Sequence, residues 1–175
     1  MFVKKALYLA SAALLMAPVS AFAQSGNPYQ TGVREFTIVG SGSSDESFDN
    51  TALNTSFSVG QFFTDRLQGG IRQDISFSDL GGSNWNGSTR LVADYHFGSG
   101  RLVPLIGISL GYLYGDGVEE QFIAGPEAGL KFFMNETTFV YGLIEYQFLF
   151  DDADDADDSF DDGRWVYGIG LGMTF

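Results

Sequence analysis

Charged side chains set between glycines and serines are the residues of this sequence with the clearest capacity for chemistry. They recur at alternate positions of extended segments and comprise five acids, four bases and one histidine: Glu35, Asp74, Asp94, Glu127, Glu145, Arg72, Arg90, Lys131, Arg164 and His96. Counted from the nearest turn residues, several of them lie at similar heights. Charges held inside a protein are costly unless they are paired. The pattern therefore predicts internal ion pairs among seven residues: Arg72, Asp74, Arg90, Asp94, Glu127, Lys131 and Glu145.

A second charged feature is the run "DDADDADDSFDDG", which places eight aspartates between Asp151 and Asp162. Self-repulsion favours a solvated loop. The alternative is weak binding of divalent cations, because carboxylates are the hard oxygen ligands that calcium prefers. The run lacks the DxDxDG order and the distal glutamate of an EF-hand loop, so the expected affinity is low. We predict no other metal site and no cofactor.

The overall composition restricts the class of protein. The formal net charge is −13, which disfavours nucleic acid as a partner because phosphates would be repelled. The chain has no cysteine and so cannot depend on disulfides. Its 17 Phe, 8 Tyr and 2 Trp are too apolar for a disordered acidic chain. We therefore expect a folded domain.

The first 23 residues have the pattern of a secretory signal peptide. Lys4 and Lys5 precede an apolar stretch over 6–19, and Ala21-Phe22-Ala23 supplies small residues at a cleavage site. We predict cleavage after Ala23, an N-terminal segment 24–32 in the periplasm and one domain over 33–175. The mature chain has no run approaching the roughly 20 apolar residues of a spanning helix, so any membrane crossing would use strands.

Turn residues divide this domain into eight segments. Short breaks at Thr64-Asp65, 98–100 and Asn135-Glu136 alternate with longer polar stretches at 41–50, 79–89, 115–121 and 151–163. The predicted strands are 33–41, 51–63, 66–78, 89–97, 101–114, 121–133, 137–150 and 164–175.

Most of these segments alternate with a period of two. In 101–114 one face carries large apolar residues such as Ile106 and Ile108, and the other carries small ones such as Gly107 and Ser109. The interior of an eight-stranded barrel is only just wide enough for its own side chains, so we expect the small and charged face inside and the apolar face outside. Exceptions to the alternation are Gln61 and Gln73 on the apolar face, and Phe139, Tyr141 and Leu143 on the polar face.

The segment lengths and aromatic positions suit a membrane. Twelve residues at ~3.3 Å each, tilted by about 40°, rise roughly 30 Å, the height of an apolar band. Aromatic residues near the strand ends are expected to form interfacial girdles: Tyr95, Phe97, Phe132, Phe133, Phe148 and Phe150. The predicted fold is all-β, an eight-stranded antiparallel up-and-down transmembrane β-barrel.

The domain resembles the small eight-stranded outer-membrane β-barrels of Gram-negative bacteria, the OmpA-barrel and OmpX-like group. The resemblance covers residues 33–175 and is most specific in "PLIGISLGYLYG" (104–115), "AGLKFFMNETTFVYGLIEYQF" (128–148) and the last strand, "RWVYGIGLGMTF". It implies an outer-membrane location, contact with membrane lipid and lipopolysaccharide, and a monomer. It also implies that the barrel-assembly machinery reads alternate residues of the last strand: Tyr167, Ile169, Leu171, Met173 and Phe175. Since the sequence ends with that strand, we expect no peptidoglycan-binding domain to follow.

Function is less determined than fold. The resemblance implies a non-enzymatic barrel of the porin or OmpA-like superfamily with a structural or surface-interaction role, and we expect its ion pairs to plug the lumen. A wet, narrow passive pore and an adhesin acting through the acidic loops remain alternatives. The least favoured alternative is a lipid A-modifying enzyme, because similar deacylases use a serine, a histidine and an acid. His96 precedes Ser99 by three residues, but Ser99 lies in a Gly-Ser-Gly turn and no acid occupies an obvious third position.

Overall fold

Eight antiparallel strands follow one another along the chain and close into a barrel. The computed structural model describes residues 29–44, 51–78, 84–98, 100–116, 118–150 and 163–175. The strands are β1 (Arg34–Ser44), β2 (Thr51–Phe62), β3 (Leu67–Ser78), β4 (Asn84–His96), β5 (Leu102–Gly115), β6 (Gln121–Phe133), β7 (Thr138–Phe150) and β8 (Gly163–Thr174). The fold class and the number of strands predicted from the sequence are confirmed. Within the described ranges, no helix is long and apolar enough to cross a membrane.

Two strands extend three or more residues further than the sequence predicted. β1 reaches Ser44, and β4 begins at Asn84 instead of residue 89. Trp85, which we expected in a loop, is therefore a strand residue, and it pairs with Phe77 of β3. Turn-forming residues such as Asn84 and Gly87 suggested a loop, but backbone partners on β3 and β5 hold them in the sheet.

The two ends of the barrel differ. One end, here called the turn end, carries three short connections and both ends of the described chain; the other is called the loop end. At the turn end, the Thr64 hydroxyl accepts a hydrogen bond from the Leu67 amide at 2.9 Å. The Asn135 side chain accepts one from the Thr138 amide at 2.7 Å. Such local bonds explain why these residue types form tight turns.

The polarity of the barrel is inverted relative to a water-soluble protein. Large apolar side chains cover the outer wall, and the exposed fraction reaches 65% for Ile108 and 62% for Leu91. The inner face buries charged residues instead, with Arg72, Glu127 and Lys131 each at most 4% exposed. Gln73, on the outer face, is satisfied by the Thr89 and Tyr114 hydroxyls at 2.7 and 2.9 Å.

The register between neighbouring strands is nearly continuous except at one seam. β2 and β3 pair from Ala52↔Ser78 to Phe62↔Gln68, whereas β1 and β8 pair only from Glu35↔Thr174 to Val39↔Gly170. In the described chain, β1 beyond Val39 pairs with β2 alone, and β8 before Gly170 pairs with β7 alone.

Candidate functional site: the charged and aromatic lumen

Strand register brings four charged residues to the middle of the lumen. On one wall Arg72 of β3 lies directly opposite Arg90 of β4, and on another wall Glu127 of β6 lies directly opposite Glu145 of β7. Like charges placed opposite each other across neighbouring strands repel. Each like-charged pair is therefore stable only because the other pair faces it across the lumen. We call these four residues, together with Asp74, the central cluster.

The contacts within the central cluster are close. The Arg72 guanidinium donates two hydrogen bonds to the Glu127 carboxylate, at 2.7 and 2.9 Å. Arg90 donates to Asp74 Oδ2 from Nη2 at 2.6 Å and from Nε at 3.0 Å, and its Nη1 donates to Glu145. A guanidinium suits this position because its planar fork binds carboxylates in a fixed geometry.

Two serine hydroxyls donate further hydrogen bonds to the carboxylates of the central cluster. The Ser109 hydroxyl donates to Glu145 Oε1 at 2.5 Å, and the Ser88 hydroxyl donates to Asp74 Oδ2, also at 2.5 Å. Buried carboxylates need such partners because each has several lone pairs to satisfy. The cluster thus links β3 and β4 to β6 and β7 across the barrel, in addition to the backbone ladder.

A second charged group lies nearer the turn end. The Lys131 ammonium donates to both oxygens of Glu35, at 2.6 and 2.8 Å, and its nitrogen lies 2.7 Å from His96 Nε2. An ammonium has no acceptor, so Nε2 must accept, and His96 is the neutral tautomer that carries its proton on Nδ1. That nitrogen lies 3.3 Å from the Arg66 carbonyl oxygen. His96 is thus a structural acceptor in this geometry.

The structure brings six of the seven residues named from the sequence into contact with an opposite charge, and Asp94 is the seventh. Asp94 is buried beside Glu127, and in the described chain its Oδ1 has no hydrogen-bond partner. Its position beside Glu127 could not be predicted from alternation, which assigns a face and not a contact. Glu35, counted among the inward acids, is the partner of Lys131.

Glycines on the inner face provide the room that these side chains occupy. A Cβ atom at Gly111 would lie 2.5 Å from Arg90 Cγ, and one at Gly107 would lie 2.0 Å from Asp94 Oδ1. Both distances are too short for any side chain. The glycines of β5 therefore leave space on the inner face, and the charged side chains of β4 occupy it.

An aromatic cluster, which the sequence did not predict, closes the turn end of the lumen. Its members are fully or almost fully buried: Tyr29, Phe62, Phe133, Phe139 and Tyr141. The Tyr29 ring centroid lies 5.2 Å from that of Phe62 and 5.5 Å from that of Phe133, both edge-on. The Lys131 ammonium lies 5.1 Å from the Phe139 ring centroid, so the cluster also packs against the second charged group.

Tyr29 enters the lumen because the segment before β1 is held against the turn end. The Gly32 amide donates to the Phe62 carbonyl at 2.8 Å, and the Phe62 amide donates to the Val33 carbonyl at 2.9 Å. Gly32 has a φ of 92°, which favours glycine and turns the chain inward. Burial, together with the nearby Glu35 carboxylate, raises the pKa of the Tyr29 hydroxyl, so the ring stays uncharged.

This cluster corrects one detail of the predicted girdle. Phe133 faces the lumen and is 4% exposed, whereas its neighbour Phe132 faces outward. The alternation break at Phe139 and Tyr141 was the available signal, since large residues on a small-residue face mark a filled interior. Tyr95 and Phe97 do lie on the outer face, with ring centroids 5.1 Å apart.

Between the described residues, the loop-end half of the lumen contains a large cavity. A cavity of about 600 Å³ lies above the central cluster, which forms its floor through Arg72, Asp74, Arg90 and Glu145. Below the cluster, the space near Lys131 and Asp94 holds only about 20 Å³, the size of one water molecule. The lumen thus has a wide half and a filled half.

The other predicted sites lie on the last strand or outside the described residues. Four residues of the predicted assembly signal face outward on β8: Tyr167, Ile169, Leu171 and Met173. Phe175 follows the strand, and its amide and carbonyl pair with those of Arg34, both at 2.9 Å. The signal peptide, Ser99 and the run from Asp151 to Asp162 are outside the described residues. In the described ranges, no cluster of acids and histidines could hold a metal ion.

Comparisons with solved structures agree on one architecture. A scan against protein-family models and a search of curated proteins each found no match. The N-terminal β-barrel domain of Pseudomonas aeruginosa OprF is similar with a TM-score of 0.56 and 21% identity, over 83% of this chain and 98% of that one. P. aeruginosa OprG gives 0.53 and 13%, over 84% and 97%, and Neisserial surface protein A gives 0.50 and 14%, over 81% and 94%. The chain therefore has the fold of the small eight-stranded outer-membrane β-barrels.

Proposed function

We propose that this protein is an integral outer-membrane barrel with a sealed lumen and a structural or surface-interaction role, not an enzyme. The observation that carries the proposal is the inverted polarity. Ile108 and Leu91 are more than 60% exposed, while Arg72 and Glu127 are buried inside. An apolar wall of this extent is unstable in water and stable in lipid.

Backbone pairing supports the membrane location. Hydrocarbon offers no hydrogen bonds, so a spanning sheet must satisfy its own amides and carbonyls by closing. The strands of this barrel are 11–14 residues long, which is sufficient to cross an apolar band when tilted. We propose that residues 1–23 direct export, and that lipid and lipopolysaccharide surround the barrel.

The proposal that the lumen is sealed is based on the packing of its interior. The central cluster occupies the middle of the lumen, and the aromatic cluster fills the turn end. Ions crossing such an interior would have to separate buried ion pairs and pass closely packed rings. We therefore propose that the protein does not conduct by diffusion, which disfavours the narrow-pore alternative.

Assembly is proposed to use the last strand. Apolar side chains lie at alternate positions on its outer face, namely Tyr167, Ile169, Leu171 and Met173. The backbone of Phe175 pairs with that of Arg34 and so closes the sheet. These are the features that the barrel-assembly machinery would meet in an unfolded chain.

Charged substitutions on the outer wall of β5 test the location. Ile108→Arg, near the middle of the strand, should destabilise the barrel in phosphatidylcholine vesicles by about 2–4 kcal/mol, because the charge lies at the depth of the hydrocarbon. Leu102→Arg, equally outward but at the turn end of the strand, should cost about 0–1 kcal/mol. Urea titration of vesicle-inserted protein measures both. Equal, small costs at the two positions would contradict a membrane-spanning barrel.

A further inference from the structure

The loop-end cavity lies beside an unpaired stretch of the barrel wall. β1 and β8 stop pairing after Val39↔Gly170, so the described parts of both strands nearer the loop end leave a gap between them. Residues on both sides of this gap also line the cavity, namely Val39 on β1 and Trp165, Tyr167 and Gly168 on β8. Tyr167 is 80% exposed and Trp165 64%. Outward-facing residues at this unpaired edge thus line the same cavity as residues of the lumen.

Among the described residues, Arg164 is the cation lining the cavity that forms no ion pair. Arg72 and Arg90 are held by carboxylates at the floor. Arg164, on β8 beside the gap, donates from Nε to the Gln147 side chain at 2.9 Å and has no ion-pair partner among the described residues. The Asp74 and Glu145 carboxylates influence Arg164 from the floor but are already bound to Arg90. A guanidinium in this position has donors available for an anion.

The surroundings of Arg164 indicate how that anion arrives. In the sequence, Arg164 follows a run of eight aspartates between residues 151 and 162, and such a concentration of negative charge repels anions dissolved in water. An anion approaching from the membrane through the gap would pass Trp165 and Tyr167 on the β8 side. Trp165 packs edge-on against Tyr146 at 4.9 Å on the outer wall, which is the type of surface that lies at head-group depth.

We propose that this gap and cavity bind an anionic lipid of the surrounding leaflet through its phosphate head group. The head group passes through the wall between β1 and β8 to reach Arg164, and the acyl chains stay outside against Trp165, Tyr167 and Ile169. The cavity volume of about 600 Å³ falls within the roughly 300–1,000 Å³ usual for ligand pockets. The side-chain NH2 group of Gln147, which also lines the cavity, supplies a further donor. The inference rests on the proposed membrane location.

Tryptophan quenching by brominated lipids tests the site. Trp85 and Trp165 are the two tryptophans, so Trp85→Phe leaves Trp165 as the only reporter. The protein is inserted into phosphatidylcholine vesicles that carry a small fraction of either dibrominated phosphatidic acid or dibrominated phosphatidylcholine. Bromine quenches only when a lipid lies against Trp165, and the second lipid measures random contact.

The charge of Arg164 decides the expected result. The lipid fraction that gives half-maximal quenching should be about tenfold lower for phosphatidic acid than for phosphatidylcholine. A hydrogen bond to a charged group is strong enough to produce a difference of this size. Arg164→Gln should reduce the preference to near one, Arg164→Lys should restore most of it, and Arg34→Gln, an exposed arginine at the turn end, should leave it unchanged. A heat-dependent shift in gel mobility checks that each variant folds.

Three results would overturn the proposal. One is equal quenching by the two lipids, and another is a preference that survives Arg164→Gln. The third is protection of Trp165 from both lipids together with cross-linked dimers, which would show a second copy of the chain filling the gap. Failure of the protein to float with the vesicles would refute the membrane location itself, and with it the site. Insertion with equal quenching refutes the lipid site alone.

Discussion

At the scale of single residues, each like-charged pair in the lumen contacts a pair of the opposite charge. Arg72 lies opposite Arg90 in the sheet, and Glu127 lies opposite Glu145, so each neighbouring pair is repulsive by itself. The pairs are compatible only because they meet across the lumen, where Arg72 contacts Glu127 and Arg90 contacts Glu145. Removing one member should therefore leave a buried charge without compensation.

Arg72→Ala should lower the free energy of unfolding by about 3–5 kcal/mol, because Glu127 then remains buried without its partner. The double variant Arg72→Ala/Glu127→Ala should cost clearly less than the sum of the two single changes. Urea unfolding of vesicle-inserted protein gives all three values. Arg66→Ala, at an exposed turn, is the control and should change stability by less than about 0.5 kcal/mol. An Arg72→Ala cost as small as that control would show that the pair is not needed.

At the scale of strands, the small face of β5 and the charged face of β4 form one unit. Gly111 lies directly opposite Arg90, and Gly107 directly opposite Asp94. The glycines of β5 leave space on the lumen side, and the long side chains of β4 use it. A glycine-rich strand is weak by itself, so its stability depends on the neighbouring strand.

Gly111→Val should prevent correct closure of the barrel, because its first carbon would lie within 2.5 Å of Arg90 and of the Thr89 carbonyl. Gly40→Val is the matched control, since a Cβ there meets nothing within 4 Å. The fraction refolded into vesicles, read from gel mobility with and without heating, compares them. Equal refolding of the two variants would mean that the lumen can rearrange around an added side chain.

The last strand should also carry information for assembly in the cell. One lysine added after Phe175 should lower the yield in the outer membrane and increase degradation in the periplasm, while refolding of the purified protein in detergent stays unchanged. The two measurements together separate recognition from packing. If both yields fall equally, Phe175 matters only for closing the sheet against Arg34, and the recognition hypothesis is wrong.

At the scale of the whole molecule, the sequence predicted the architecture because a barrel with an apolar outer wall and a polar lumen imposes a simple rule on its strands. Period-two alternation separated the outward Ile108 from the inward Ser109 and applied, with a few exceptions, to most of the eight segments. Strand ends near the loops were predicted less well. Asn84 and Gly87 have turn propensity, and only their partners on β3 and β5 keep them extended.

The sequence predicted which charged residues line the lumen, but not which of them contact each other. Alternation assigned Arg72 and Glu127 to one face, but the contact between them depends on which strands face each other across the closed barrel. The aromatic cluster was missed because Tyr29 belongs to the segment before β1, and no periodicity connects it to Phe62 or Phe133. The gap between β1 and β8 was also not predicted. Beyond Val39, β1 reads Gly-Ser-Gly-Ser-Ser, which suggested a loop but does not show which neighbouring strand is left unpaired.

Single-channel recording in planar lipid bilayers tests the sealed lumen most directly. The unmodified, refolded protein should show no steady conductance, because the central cluster and the aromatic cluster together fill the passage below the loop-end cavity. Arg72→Ala/Arg90→Ala should admit ions, as it removes both guanidiniums from the middle of the lumen. A large, steady single-channel conductance in the unmodified protein would contradict the account.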